Sequence, residues 1–123
     1  MKDVQTLAQE QLEAYNTKNL EAFLKPYAPL VEAYDLAKGE LLFKGLEAMA
    51  ARYGPCFKAN PGLHCDLMGR WVMGHFCIDQ ESITGLASGS THQAIAIYQA
   101  ESGLISKIWF LRKDPPTTSQ SAR

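Results

Sequence analysis

The period of the chain changes at Leu63, and that switch constrains the fold more than any other feature. Before it, apolar residues recur at helical spacing. After it they alternate, and the runs are broken only by short Gly-containing turns. Val4, Leu7, Ala8, Gln11, Leu12 and Tyr15 form one helical stripe, with Asp3 available as a cap. Asn19 caps a second short helix with Leu20, Phe23, Leu24 and Tyr27 on its apolar face, and Pro26 and Pro29 stop it. VEAYDL (31–36) and ELLFK (40–44) read as strands around a Lys38-Gly39 turn. Gly45 opens a third helix, LEAMAARY, interrupted at Gly54-Pro55 and able to resume through Cys56 and Phe57, and the Asn-Pro-Gly at 60–62 ends the helical region. LHCDLMGRWVM, FCIDQESIT, HQAIAIYQA and LISKIWFLR then predict a meander of four antiparallel strands, with turns at Gly74-His75, GLASGS and Ser102-Gly103. Helices first and sheet last make one α+β domain over residues 1–113, with helices packed on one face of the sheet. The remainder, 114–123, is polar and Pro-rich and reads as a disordered tail.

Composition narrows the function classes. Twelve Lys+Arg against thirteen Asp+Glu give a net charge of -1, which supplies no basic footprint for nucleic acid. No apolar run has the length of a membrane span, and the first residues, MKDVQTLAQEQ, lack the apolar segment of an export signal. A cytoplasmic protein is expected, and Cys56, Cys65 and Cys77 are expected as free buried thiols. His64 and Cys65 are adjacent on a strand and point to opposite faces, so no metal spacing emerges. There is no GxSxG elbow and no phosphate-binding glycine loop after a strand, and no cofactor is implied.

Asp35 stands out among the residues able to do chemistry. Strand alternation puts it on one face with Val31 and Ala33. A carboxylate held against an apolar wall has the raised basicity of a general base. A strand-end Asp beside a turn also bonds turn amides, and both roles are open. Gln11 sits on the core-facing stripe of the first helix, and its amide either donates to a ligand carbonyl or to Tyr53, or reaches water at the stripe's edge. His64, at the start of the first long strand, is a rim residue, either a proton donor or simply solvated. Asp79 and Glu81, two residues apart, read as a solvated strand face.

The order α-α-β-β-α-β-β-β-β is carried by AYNTKNLEAF, VEAYDLAKGELLFKG, GLEAMAARY, GLHCDLMGRWVMG and AIAIYQAESGLISKIWF. Over residues 4–112 it resembles the nuclear-transport-factor-2-like superfamily, in its polyketide-cyclase and ketosteroid-isomerase-like branch. The resemblance implies a cone, in which a strongly curved, cystatin-like sheet wraps around the helices and leaves a hydrophobic pocket at its open end. It also matches Asp35 to the position of the isomerases' proton-shuttling Asp, and Tyr53 to a supporting Tyr. Gln11 and Ile95 stand where the isomerases have their two oxyanion donors, so steroid isomerisation itself is not implied. Tyr15, Tyr27 and Phe57 are expected to line the pocket beside Tyr53, with His64 at its rim. The resulting expectation is a pocket for a small apolar molecule, served by a cofactor-independent isomerase, dehydratase or cyclase with Asp35 as base. The alternative is a non-catalytic ligand-binding or dimerisation module of the same fold. Trp71, either Ile97 or Tyr98, and Trp109 on the long strands predict a homodimer through the sheet's outer face.

Overall fold

The computed structural model describes residues 1–113, and the expected disordered tail lies outside the described residues. The elements are α1 (Val4–Thr17), α2 (Leu20–Leu24), β1 (Tyr27–Asp35), β2 (Glu40–Lys44), α3 (Leu46–Ala59), β3 (His64–Met73), β4 (Phe76–Thr84), β5 (His92–Glu101) and β6 (Leu104–Arg112). Local chemistry sets the boundaries. The Asp3 carboxylate accepts the Thr6 amide at 2.9 Å and starts α1. Lys18, in the left-handed conformation, ends it. Asn19 Oδ1 accepts the Ala22 amide and starts α2. No helix among the described residues is long and apolar enough to cross a membrane.

Two boundaries differ from the sequence reading. Tyr27 belongs to β1 and not to α2, because buried Pro26 ends the helix and its carbonyl already accepts the Ile105 amide of β6 at 2.8 Å. The third helix runs unbroken through Gly54-Pro55 to Ala59. Its buried side, Met49, Tyr53, Cys56 and Phe57, anchors the turns on both sides of the proline.

The six strands form one sheet in the order β2-β1-β6-β5-β4-β3. All neighbouring pairs are antiparallel except β1 and β6, which run parallel. Bulges near Leu67, Gln99 and the Ala33/Tyr34 junction add curvature. The sheet is concave toward the helices, with α1 against β3–β6 and α3 against β1 and β2. On the concave face, Ala94, Ala96, Tyr98 and Ala100 of β5 are buried, as are Ile108 and Phe110 of β6. The loop between β4 and β5 closes against the end of α3 through Gly85 (φ +76°), where a Cβ would lie 1.8 Å from the Gly62 carbonyl oxygen. Only glycine fits there.

Candidate functional site

The concave side gathers most of the sequence-predicted residues. Phe23 is the hub, with ring centroids 4.8 Å from Tyr53, 5.4 Å from Tyr27, 5.6 Å from Phe57 and 6.1 Å from Tyr15. These five rings come from α1, α2, β1 and α3, and tilted or edge contacts of this kind are worth about 0.5–1.5 kcal/mol each beyond their area. Gln11 is fully buried among them. Its Oε1 accepts the Tyr27 hydroxyl at 3.0 Å and its Nε2 donates to the Ala8 carbonyl at 2.9 Å. This burial excludes the reading in which Gln11 reaches water at the stripe's edge.

Asp35 ends β1 on the face of Val31 and Ala33, both fully buried, and is itself half-buried. Its Oδ1 accepts the Lys38 amide at 3.1 Å and its carbonyl accepts the Gly39 amide at 2.8 Å, so it closes the β1–β2 turn. In register, Asp35 lies opposite Phe110 on one side, and two residues back Ala33 lies opposite Phe43 on the other. His64 and Ile95 stand apart from the aromatic cluster. The His64 side chain is about half exposed, with Nε2 3.1 Å from Asp66 Oδ1. Ile95 points to the convex face, a correction to its expected place in the pocket. The tight Ser102-Gly103 turn fixes the β5–β6 register, and alternation turns Ala94 and Ala96 inward on either side of Ile95.

A second correction concerns β4. Asp79 and Glu81 are not a solvated face: both are buried on the concave side, in line with buried Cys77 and Ile83. Arg70, directly opposite on β3, grips Asp79 with Nε–Oδ1 at 2.7 Å and Nη2–Oδ2 at 2.9 Å, and its Nη1 donates to Gln9 Oε1 of α1. The fork explains how a carboxylate can be fully buried here. Burial, with the Asp79 carboxylate 3.4 Å away, pushes the Cys77 thiol up to about 12. Cys77 is therefore a thiol and not a nucleophilic thiolate at neutral pH. The signal was in the hairpin: a two-residue Gly74-His75 turn sets Arg70 across from Asp79. Cys56, Cys65 and Cys77 are all free and buried, as expected.

Against α3 and β2 lies a cavity of about 490 Å³, lined among others by Phe43, Ala48, Arg52, Pro55, Cys56 and Asn60. Its volume is that of a small-molecule site, and its wall is mostly apolar with few polar groups. Asn60 Nδ2 donates to the Cys56 carbonyl at 2.8 Å while its Oδ1 accepts the Ala87 amide at 2.8 Å, pinning the β4–β5 loop to this end of α3. Phe43, inside the cavity wall, also meets Tyr53 edge-on at 6.4 Å. The cavity and the aromatic cluster thus share a wall.

Comparison with solved structures places this architecture. An uncharacterised cystatin-fold protein from Novosphingobium aromaticivorans superposes with a TM-score of 0.81 at 18% identity, covering 91% of this chain and 100% of that one. A candidate polyketide cyclase from Sinorhizobium meliloti gives 0.72 at 16% identity, covering 85% and 93%. A protein with a ketosteroid-isomerase-like fold from Catenulispora acidiphila, solved with trimethylamine, gives 0.71 at 12% identity, covering 85% and 82%. At these identities the likeness is one of fold. No curated protein matches the chain by sequence. The SnoaL-like domain pattern, however, runs through residues 8–108, from the buried stripe of α1 to the β6 strand that closes the sheet, and the chain belongs to that nuclear-transport-factor-2-like family.

Proposed function

We propose that the chain binds a small apolar carbonyl compound in the α3–β2 cavity and moves a proton on it, with Asp35 as the base. The observation that carries this reading is the cavity itself, with Asp35 on the same sheet face as Phe43 of its wall. One oxygen of Asp35 is held by the Lys38 amide, which orients the carboxylate and leaves Oδ2 for chemistry. In this reading Tyr53, whose ring meets Phe43 edge-on, polarises the carbonyl oxygen, since Gln11 has both ends of its amide engaged and His64 stands apart from the aromatic cluster. Base and donor together define an isomerase, dehydratase or cyclase type of reaction. The candidate polyketide cyclase and the ketosteroid-isomerase-like protein among the structural neighbours fit this class.

The test is deuterium incorporation α to the carbonyl of simple cyclic ketones, followed by NMR in D2O. The wild type is expected to accelerate exchange, Asp35→Asn to lower that rate by about 10²-fold or more, and Tyr53→Phe by less. Thermal melts confirm that each variant is folded. Unchanged exchange in Asp35→Asn would remove the base from this reading.

One observation favours a second reading, a ligand-binding module without catalysis: Asp35 already serves as a turn cap. On that reading Asp35→Ala, which removes the acceptor of the Lys38 amide, destabilises the fold by about 1 kcal/mol while Asp35→Asn keeps the cap, ketones bind, and no exchange is seen in the wild type or either variant.

A further inference from the structure

The α3–β2 cavity holds a cation, Arg52, that makes no ion pair among the described residues. The Arg52 guanidinium carbon lies 5.6 Å above the centre of the Phe43 ring. Its Nε is shielded from solvent and has no hydrogen-bond partner among the described residues. No carboxylate among the described residues forms an ion pair with it. Arg70 shows the contrast, since its fork is filled by Asp79. The ring face offsets only part of the desolvation of that nitrogen. The polar neighbours offer nothing more, because Asn60 is turned to Cys56 and Ala87. The rest of the wall is Phe43, Pro55 and a row of alanines.

A planar guanidinium is matched by a carboxylate, which takes two parallel N–H bonds and returns the missing charge. No second cation lines the cavity among the described residues, so one negative charge balances it and a phosphate dianion would not be neutralised. We infer that this cavity takes a small monocarboxylate with an apolar body, the carboxylate on Arg52 and the body against Phe43 and the alanine–proline wall. The inference rests on the cavity being the ligand site proposed above, and narrows its ligand to a keto acid, in which the apolar body carries the reacting carbonyl and the carboxylate anchors it.

The experiment is an NMR titration of the ¹⁵N-labelled full chain with cyclohexanecarboxylate and benzoate, each beside its neutral carboxamide. The carboxylates are expected to shift the amide signals of Ala48, Arg52 and Cys56 and to bind about tenfold or more tightly than the carboxamides. Added salt should weaken the carboxylates alone. Arg52→Gln is expected to erase the preference, and Arg52→Lys to keep part of it. Should Arg52→Gln fail to fold, the carboxylate-to-carboxamide ratio on the wild type decides. Equal binding of acid and amide at these signals, or a preference that survives in folded Arg52→Gln, overturns the carboxylate assignment and leaves the cavity as a ligand site. If neither kind of compound moves these signals by about 10 mM, the cavity reading falls with it.

Discussion

Asp79 is the residue with most at stake in the interior. Its carboxylate has no exposure, and the Arg70 fork is what makes its burial tolerable. Removing one partner of a buried pair leaves an uncompensated charge, so Arg70→Ala is expected to lose about 3–5 kcal/mol in urea unfolding. Replacing both partners by apolar residues of similar size is expected to lose much less, and the difference measures their coupling. At the surface, Asp3 shows the opposite balance. The Thr6 amide and side chain hold its carboxyl below the ordinary 3.8. Its contribution is therefore complete above that value and is lost as pH falls below it and through the folded-state pKa. The melting temperature of the wild type should fall over that acid window. Asp3→Asn, which caps without titrating, should fall less there.

The elements were largely legible in the sequence because each carries its own local signal. The α1 stripe, the Asn19 cap and the tight turns at Gly74-His75 and Ser102-Gly103 all appear where composition and spacing put them. Legibility failed where tertiary contacts decide. Alternation on β4 offers two mixed faces, Cys77-Asp79-Glu81 and Ile78-Gln80-Ser82, and only the partner strand tells which is inside. The site suffered in the same way. Arg52 lies within a strongly helical run, and nothing local shows that Phe43 of β2 will come beneath it. The Gly62–Gly85 contact is another such nonlocal fit. Gly85→Ala would face both the positive φ and the Gly62 carbonyl, and is expected to lose more than about 1 kcal/mol of stability, read from chemical denaturation.

For the whole molecule, the convex face is the open question of assembly. Register aligns Tyr34, Trp109, Ile97, Ile78 and Trp71 in one row across five strands. Tyr34 stacks on Trp109 at 5.9 Å, Phe76 leans on it at 6.3 Å, and Trp71 remains 57% exposed. Of the two alternatives on β5, Ile97 lies on this face and Tyr98 is buried on the concave one. A row of this kind, with exposed Met73 beside it, fits a two-fold pairing of sheets. Sedimentation is expected to give a dimer at micromolar concentration, and Ile97→Lys or Trp71→Arg to give a folded monomer. A wild-type monomer would show that the row serves packing within the sheet alone.

The parallel pairing of β1 with β6 also governs how the chain must be made. These strands are neighbours in space but sit near opposite ends of the sequence, so the sheet stays in two unconnected parts until the last strand leaves the ribosome. Until then the β1–β2 hairpin has a bare edge and the aromatic rings above it have no floor, the exposure that invites aggregation or a chaperone. Long-range closure of this sort also slows folding. A chain truncated after Glu101 should keep β1 through β5 in sequence yet fail to form a cooperative fold by circular dichroism melting, whereas later truncations that retain β6 should fold.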